Sequence, residues 1–207
     1  KPNFCGNSIT GLATYQQASN PPSQTIIVFK EKSVWEVTLR ESTFGSYTFL
    51  DPQYRLLTAS QGCSSHRSIK SVENDLMFAN RNGIYILRYE PQLLNVINAN
   101  ELSAKIKPFF EAQTDSDHQN STADYFNKKY VLSYPTSKKT IVFDRERLSF
   151  VGPFITPFGI NRWASYLDSD GIERWIAIDS DDGYVSLFAK GYSTDKGTAI
   201  KTVLKTK

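Results

Sequence analysis

Apolar residues along the chain fall in runs of 4 to 8, rich in Val, Ile, Tyr, Phe and Trp, and polar or glycine-bearing turns separate them. Short runs of β-branched and aromatic residues between turn signals are the mark of strands. Residues 25–29 read as a strand, Glu31-Lys32 as its turn, and residues 34–39 as a returning strand in which Trp35, Val37 and Leu39 alternate with polar neighbours. Residues 76–79 and 84–89 form a second pair around Asn80-Arg81-Asn82-Gly83, where Asn-Gly is expected to supply the positive φ of a tight hairpin. A third pair spans residues 130–134 and 140–144, with a further strand over 148–151. The clearest meander joins 163–167, 174–178 and 184–189 through Asp168-Ser169-Asp170-Gly171 and the turn 179–183. A last strand is expected over 199–204.

Two stretches break this pattern. Residues 95–113 place Leu102, Ile106, Phe109 and Phe110 at helical spacing, with Pro108 marking a break or the start of a second turn, so a helical insertion is expected there. Residues 114–122, rich in Asp, Ser, Gln, Asn and His, read as a polar loop. The fold class is therefore mainly β. Strand-turn-strand units recurring near residues 25, 76, 130 and 163 suggest antiparallel modules, arranged as a β-propeller or a propeller-like array, with a β-sandwich or barrel as the alternative.

Composition narrows the picture. With 207 residues, 40% of them hydrophobic and 22% charged, the chain can bury the core of a single β domain over 1–207. No run approaches the roughly 20 apolar residues of a membrane-spanning helix. The chain starts at Lys1 without a signal-like segment, and a fragment of a longer polypeptide is the expectation. A net charge of +3 and the scattered pairs Lys128-Lys129 and Lys138-Lys139 fit a solvated surface better than a nucleic-acid groove. Cys5 and Cys63 make no disulfide scaffold and have no metal-ligand spacing, which fits a protein assembled inside a cell.

Candidate chemistry is sparse. His118 is expected at the solvated surface and His66, close to Cys63, in a structural role. The hydrolase, zincin, phosphate-loop and dinucleotide signatures are absent. Asp168, Asp170, Asp179, Asp181 and Asp182 cluster, yet a calcium loop counted from Asp168 puts Gly171 fourth instead of sixth and Asp179 where Glu is expected. Turn capping explains them more simply. Trp35, Trp163 and Trp175 are expected to pack rather than to stack ligands. No catalytic, cofactor-binding or metal residue is assigned.

Several segments in order resemble the β-propeller domains of tailed-bacteriophage tail proteins, including the nozzle or tail-stabilisation proteins of short-tailed phages. They are Ile26-Ile27-Val28-Phe29-Lys30 with Ser33-Val34-Trp35-Glu36-Val37, Gly62-Cys63 with Arg67-Ser68-Ile69, and Val72-Glu73-Asn74-Asp75-Leu76-Met77-Phe78-Ala79 leading to Asn82-Gly83-Ile84-Tyr85. Glu101-Leu102-Ser103-Ala104-Lys105-Ile106-Lys107-Pro108, Tyr130-Val131-Leu132-Ser133-Tyr134-Pro135, Ile141-Val142-Phe143-Asp144 and Asp182-Gly183-Tyr184-Val185 continue the series. The resemblance implies a non-enzymatic virion component without cofactor, assembled in the host cytoplasm. It further implies contacts with other tail proteins, a homo-oligomeric ring in the full-length setting, and proximity to tail DNA. The alternative is a propeller that binds or hydrolyses a host surface glycan through Trp and Asp residues.

Overall fold

The computed structural model describes residues 8–17, 23–88, 103–188, 194–195 and 198–199. Four antiparallel meanders follow one another along the chain. Sheet A holds β1 (Ile9–Gln17), β2 (Ser23–Lys30), β3 (Val34–Phe44) and β4 (Tyr47–Thr58). Sheet B holds β5 (Lys70–Val72), β6 (Asp75–Asn80) and β7 (Gly83–Leu87). Sheet C holds β8 (Thr122–Phe126), β9 (Lys129–Tyr134), β10 (Lys139–Asp144) and β11 (Ser149–Ile155). Sheet D holds β12 (Ile160–Leu167), β13 (Glu173–Asp179) and β14 (Val185–Phe188). A two-residue ladder, Thr194–Asp195 with Thr198–Ala199, follows. In every sheet, neighbours in space are neighbours in sequence, as in a propeller blade and unlike the Greek key of most sandwiches.

The sheets stack face to face in chain order, and alternation along each strand decides which cores it feeds. In sheet A, Ile27, Phe29 and Val34 point into the main core, where the Phe29 ring lies 5.0 Å from Phe78 of sheet B. Sheet B is covered on both faces: all eleven residues of β6 and β7 are buried, with Phe78 stacked on its cross-strand partner Tyr85 and Met77, Ala79, Ile84 and Ile86 equally enclosed. A strand so placed reads as a continuous apolar run. Sheet C serves two cores: Tyr130, Leu132 and Tyr134 of β9 belong to the main one, and Val131 joins Phe158, Ile160, Trp163 and Ala177 in a second core shared with sheet D. The array is thus mainly β and propeller-like. The first strands lie innermost, with β8 touching both β5 and β12.

The connections between sheets repeat one device. After β4, the Cys63 amide donates to the Lys30 carbonyl of sheet A at 2.9 Å, and the Gly62 carbonyl accepts from the Asn80 side chain of sheet B at 3.0 Å. After β11, the Thr156 amide donates to the Lys138 carbonyl of sheet C at 2.9 Å, and the Gly159 carbonyl accepts from the Ser180 amide of sheet D at 2.7 Å. A Cβ on Gly62 would collide with the Lys30 carbonyl, and one on Gly159 with the Pro135 carbonyl, so only glycine lets the linker cross so close to the preceding turn.

One expectation needs correction here, and two others are met with their details set by the structure. Residues 114–122 are not a loop: a helix spans Asp115–Asn120, and β8 starts at Thr122. The Thr114 side chain accepts from the Asp117 amide and the Asp117 carboxylate accepts from the Thr114 amide, a reciprocal cap that makes a helix from six polar residues. Within the expected insertion 95–113, a 3-10 turn over Ala104–Ile106 and a helix over Lys107–Glu111, with Pro108 in its first turn, carry the helical part. Residues 95–102 lie outside the described residues, as does the expected strand 199–204 beyond Ala199. The β6–β7 hairpin turns on Arg81-Asn82, neither of which has positive φ; the positive φ expected of Asn-Gly falls on Gly83, at +156°, and the Asn80 side chain closes the turn by accepting from the Asn82 and Gly83 amides at 2.8 and 3.2 Å. The turn with two left-handed residues is instead Asn127-Lys128, with φ of +44° and +58°, between β8 and β9.

Candidate functional site

Two features stand out from the stacked sheets: a polar turn face and an apolar outer rim. On the turn face, the β2–β3 and β6–β7 turns meet the helix Asp115–Asn120 around a cleft of about 200 Å³ lined by Thr10, Glu31, Ser64, Arg81, His118 and Gln119, with Ser8 at its edge. Arg81 bridges Glu31 at 3.3 Å and Asp115 at 2.6 Å and so ties sheets A and B to the helix. A second hollow lies between Asn120, Pro135, Thr136, Lys138, Asn161 and Asp181, where sheet C meets sheet D.

His118 is buried at 3% exposure, contrary to its expected place at the surface. Its ring stands edge-on to Tyr134, and Nε2 lies 3.2 Å from the Phe110 carbonyl. A carbonyl only accepts, so Nε2 carries the proton in the neutral ring. Burial, with Arg81 adding to it, holds the His118 pKa below the ordinary histidine value. Asp117 is held below the usual carboxylate range: burial raises it, but hydrogen bonds from Thr114 and Ser137 outweigh that. His66 accepts from the Leu12 amide at 3.4 Å. Cys63 is fully buried, bonded to the Ser65 carbonyl and Ser68 hydroxyl, and burial raises its thiol to about 11, far from a nucleophile's range.

The aspartate cluster is turn chemistry. Asp168 accepts from the Asp170 and Ile172 amides and from Arg174, which holds its carboxyl below the usual range. Asp179 accepts from the Asp181 amide, and Asp182 from the Tyr184 amide. Among the described residues no group of three or more His, Cys, Asp or Glu is placed to hold a metal ion. Trp163 donates to Ser133 at 2.9 Å within the second core, and Trp175 packs on Trp163 and Phe126, so both are packing residues. The basic pairs face acids or amides: Lys128 meets Glu146, Lys129 meets Asp144, Lys138 meets Asp181, and Lys139 donates to Gln113.

The outer rim went unread in the sequence. Beyond Val37, β2 no longer pairs with β3, and β3–β4 continues as a two-stranded ribbon to the Gly45-Ser46 loop. Phe44 and Tyr47, paired at its tip, are 81% and 78% exposed, and Phe49 and Leu50 are also exposed. On β11, the outermost strand of sheet C, Val151, Phe154 and Ile155 are exposed. Leu167, Ile172, Tyr184 and Val185 extend the apolar surface over sheet D. A strand with apolar side chains on both faces has no alternation, which hid β4 from a pattern reading.

Among the described residues no helix is long and apolar enough to cross a membrane. No family model and no curated protein matches the sequence. Among solved structures, the chain is similar to the WD40 domain of Pan2 from Neurospora crassa, with a TM-score of 0.43 and 9% identity over 89% of this chain and 50% of that one. The chain therefore spans half the length of that structure, and its fold stands on the sheet order and register described above.

Proposed function

We propose that this chain is a non-enzymatic docking scaffold, and that its setting is the tail of a bacteriophage, where it touches other tail proteins. The observation that carries the scaffold reading is the apolar rim: the β3–β4 ribbon projects Phe44, Tyr47, Phe49 and Leu50 into solvent. Two-stranded ribbons are at best marginally stable alone in water, and exposed aromatic clusters mark contact surfaces. The phage setting rests on the sequence resemblance. A glycan-processing site lacks support, because Trp163 and Trp175 are packed in a core and the aspartates are committed to turns.

Mass spectrometry of purified virions from the phage encoding the chain tests the setting: several copies per particle are expected, and its absence from particles rejects it. For the scaffold, Phe44→Ser with Tyr47→Ser should leave Tm unchanged, since neither side chain touches the core, and should abolish incorporation into particles. Hydrolysis of bacterial surface polysaccharides by the purified chain, lost in Asp170→Asn or Asp182→Asn, would overturn the non-enzymatic reading.

A further inference from the structure

The β6–β7 turn holds the chain's one Asn-Gly pair, Asn82-Gly83. In such a pair the glycine amide nitrogen can attack the asparagine Cγ, because no side chain on the glycine crowds the approach. The new N–Cγ bond closes a five-membered succinimide, and the Cγ–Nδ2 bond breaks as ammonia leaves with the amide proton. Water then opens the ring at either carbonyl and leaves aspartate or isoaspartate. The attack needs an amide proton within reach of solvent base and a carboxamide free to turn toward the nitrogen.

The fold withholds both. Gly83 is buried, although its neighbour Asn82 is exposed, and the Gly83 amide donates to Asn80 Oδ1 at 3.2 Å. The same oxygen accepts from the Asn82 amide at 2.8 Å, so one carboxamide spans both backbone nitrogens of the pair. Asn80 is itself 6% exposed and is anchored at its other end, where Nδ2 donates to the Gly62 carbonyl at 3.0 Å. The Asn82 side chain is held in turn by a hydrogen bond with the buried Tyr85 hydroxyl. Glycine is required at position 83, because a Cβ there would strike the side chain of Ser103.

We propose that Asn82-Gly83 is a deamidation site that the folded chain holds shut, with Asn80 as the residue that shields it, and that it reacts when the β6–β7 turn opens. The turn sits where the reaction has most effect. Arg81 beside it joins Glu31 of sheet A to Asp115 of the helix. Isoaspartate at position 82 adds a carbon to the backbone between the register partners Asn80 and Gly83. Sheet B, covered on both faces, has no room to absorb that shift, so the modified turn does not close again. A transient opening of the hairpin thus becomes permanent. The site is independent of the scaffold reading, since it involves no partner.

Peptide mapping by mass spectrometry, on the purified chain kept in warm, mildly alkaline buffer, tests it through the conversion of Asn82 to aspartate and isoaspartate. Conversion in the folded wild type should be more than about a hundredfold slower than in the same chain unfolded in urea, because a protected amide reacts only in its open fraction. Asn80→Ala removes the acceptor of both amides and should speed conversion about tenfold or more. Asn80→Asp keeps that acceptor and loses the donor to the Gly62 carbonyl, so its rate should stay within about threefold of wild type. General loss of stability would speed both variants alike. A folded wild type that converts as fast as the unfolded chain overturns the proposal, as does an Asn80→Ala rate no higher than wild type or equal acceleration in the two variants. A second measurement needs no variant: in urea below the unfolding transition, hydrogen exchange at the Gly83 amide and conversion of Asn82 should rise together. Conversion that stays constant while Gly83 exchange rises overturns the proposal as well.

Discussion

His118 ties the protein's stability to pH in a definite direction. Its ring is buried, donates from Nε2 to the Phe110 carbonyl and has a depressed pKa, so the folded state holds it neutral while the unfolded chain protonates near the ordinary value of about 6.5. Unfolding therefore takes up a proton below that value. The contribution is fully present above about pH 7 and is lost as pH falls from there through the folded-state pKa. Tm followed from pH 7.5 to 5.5 should decline in the wild type and stay flatter in His118→Gln, which keeps a donor for Phe110 without a titrating ring. Asp117 and Asp168, both held low, add a separate loss as pH falls through the carboxylate range, which His118→Gln should leave intact. Gly62 and Gly159 make a second residue-scale case. Ala at either position should cost about 1–3 kcal/mol or more in denaturant titrations, because the added methyl meets a backbone carbonyl that also accepts a linker amide or belongs to a packed turn.

Among the elements, the helix Asp115–Asn120 owes most to a single residue. Thr114→Ala removes the acceptor for the Asp117 amide and should cost about 1 kcal/mol, read as a lower denaturation midpoint at unchanged m. The signal was present as Thr114-x-x-Asp117, with Asp in place of the Glu or Gln of the usual box, but a run of polar residues resembles a loop when only apolar periodicity is followed. Hairpins β2–β3, β6–β7 and β9–β10 and the meander β12–β14 are legible because each has an apolar run on both sides of a polar turn. β1 and β8 are not, since Gly11, Ala13, Thr122 and Ala123 bury little apolar area and fill their places by closeness of backbone. β4 is hidden for the opposite reason, with apolar residues on both faces and Pro52 within it. The rim that carries the scaffold reading lies on such strands, which is why candidate chemistry in the sequence pointed to aspartate turns instead.

At the scale of the molecule, sheet C is the shared partition between two cores. Val131→Ala opens the core with sheet D and Leu132→Ala opens the main core, one residue apart on the same strand. Each should destabilise the whole chain, by about 0.5–3 and about 2–5 kcal/mol respectively, in a single calorimetric transition, because neither core survives loss of the common wall. Two resolved transitions would show that sheet D melts independently.

Sheet B sets a limit on how the protein can be divided. With β6 and β7 enclosed on both sides, any fragment that ends at β7, or begins at β5, must turn one fully greasy wall toward water. Such pieces have no soluble form to adopt. The chain can gain residues at its rim or its turns, but a cut through its middle should yield two precipitates rather than two smaller proteins.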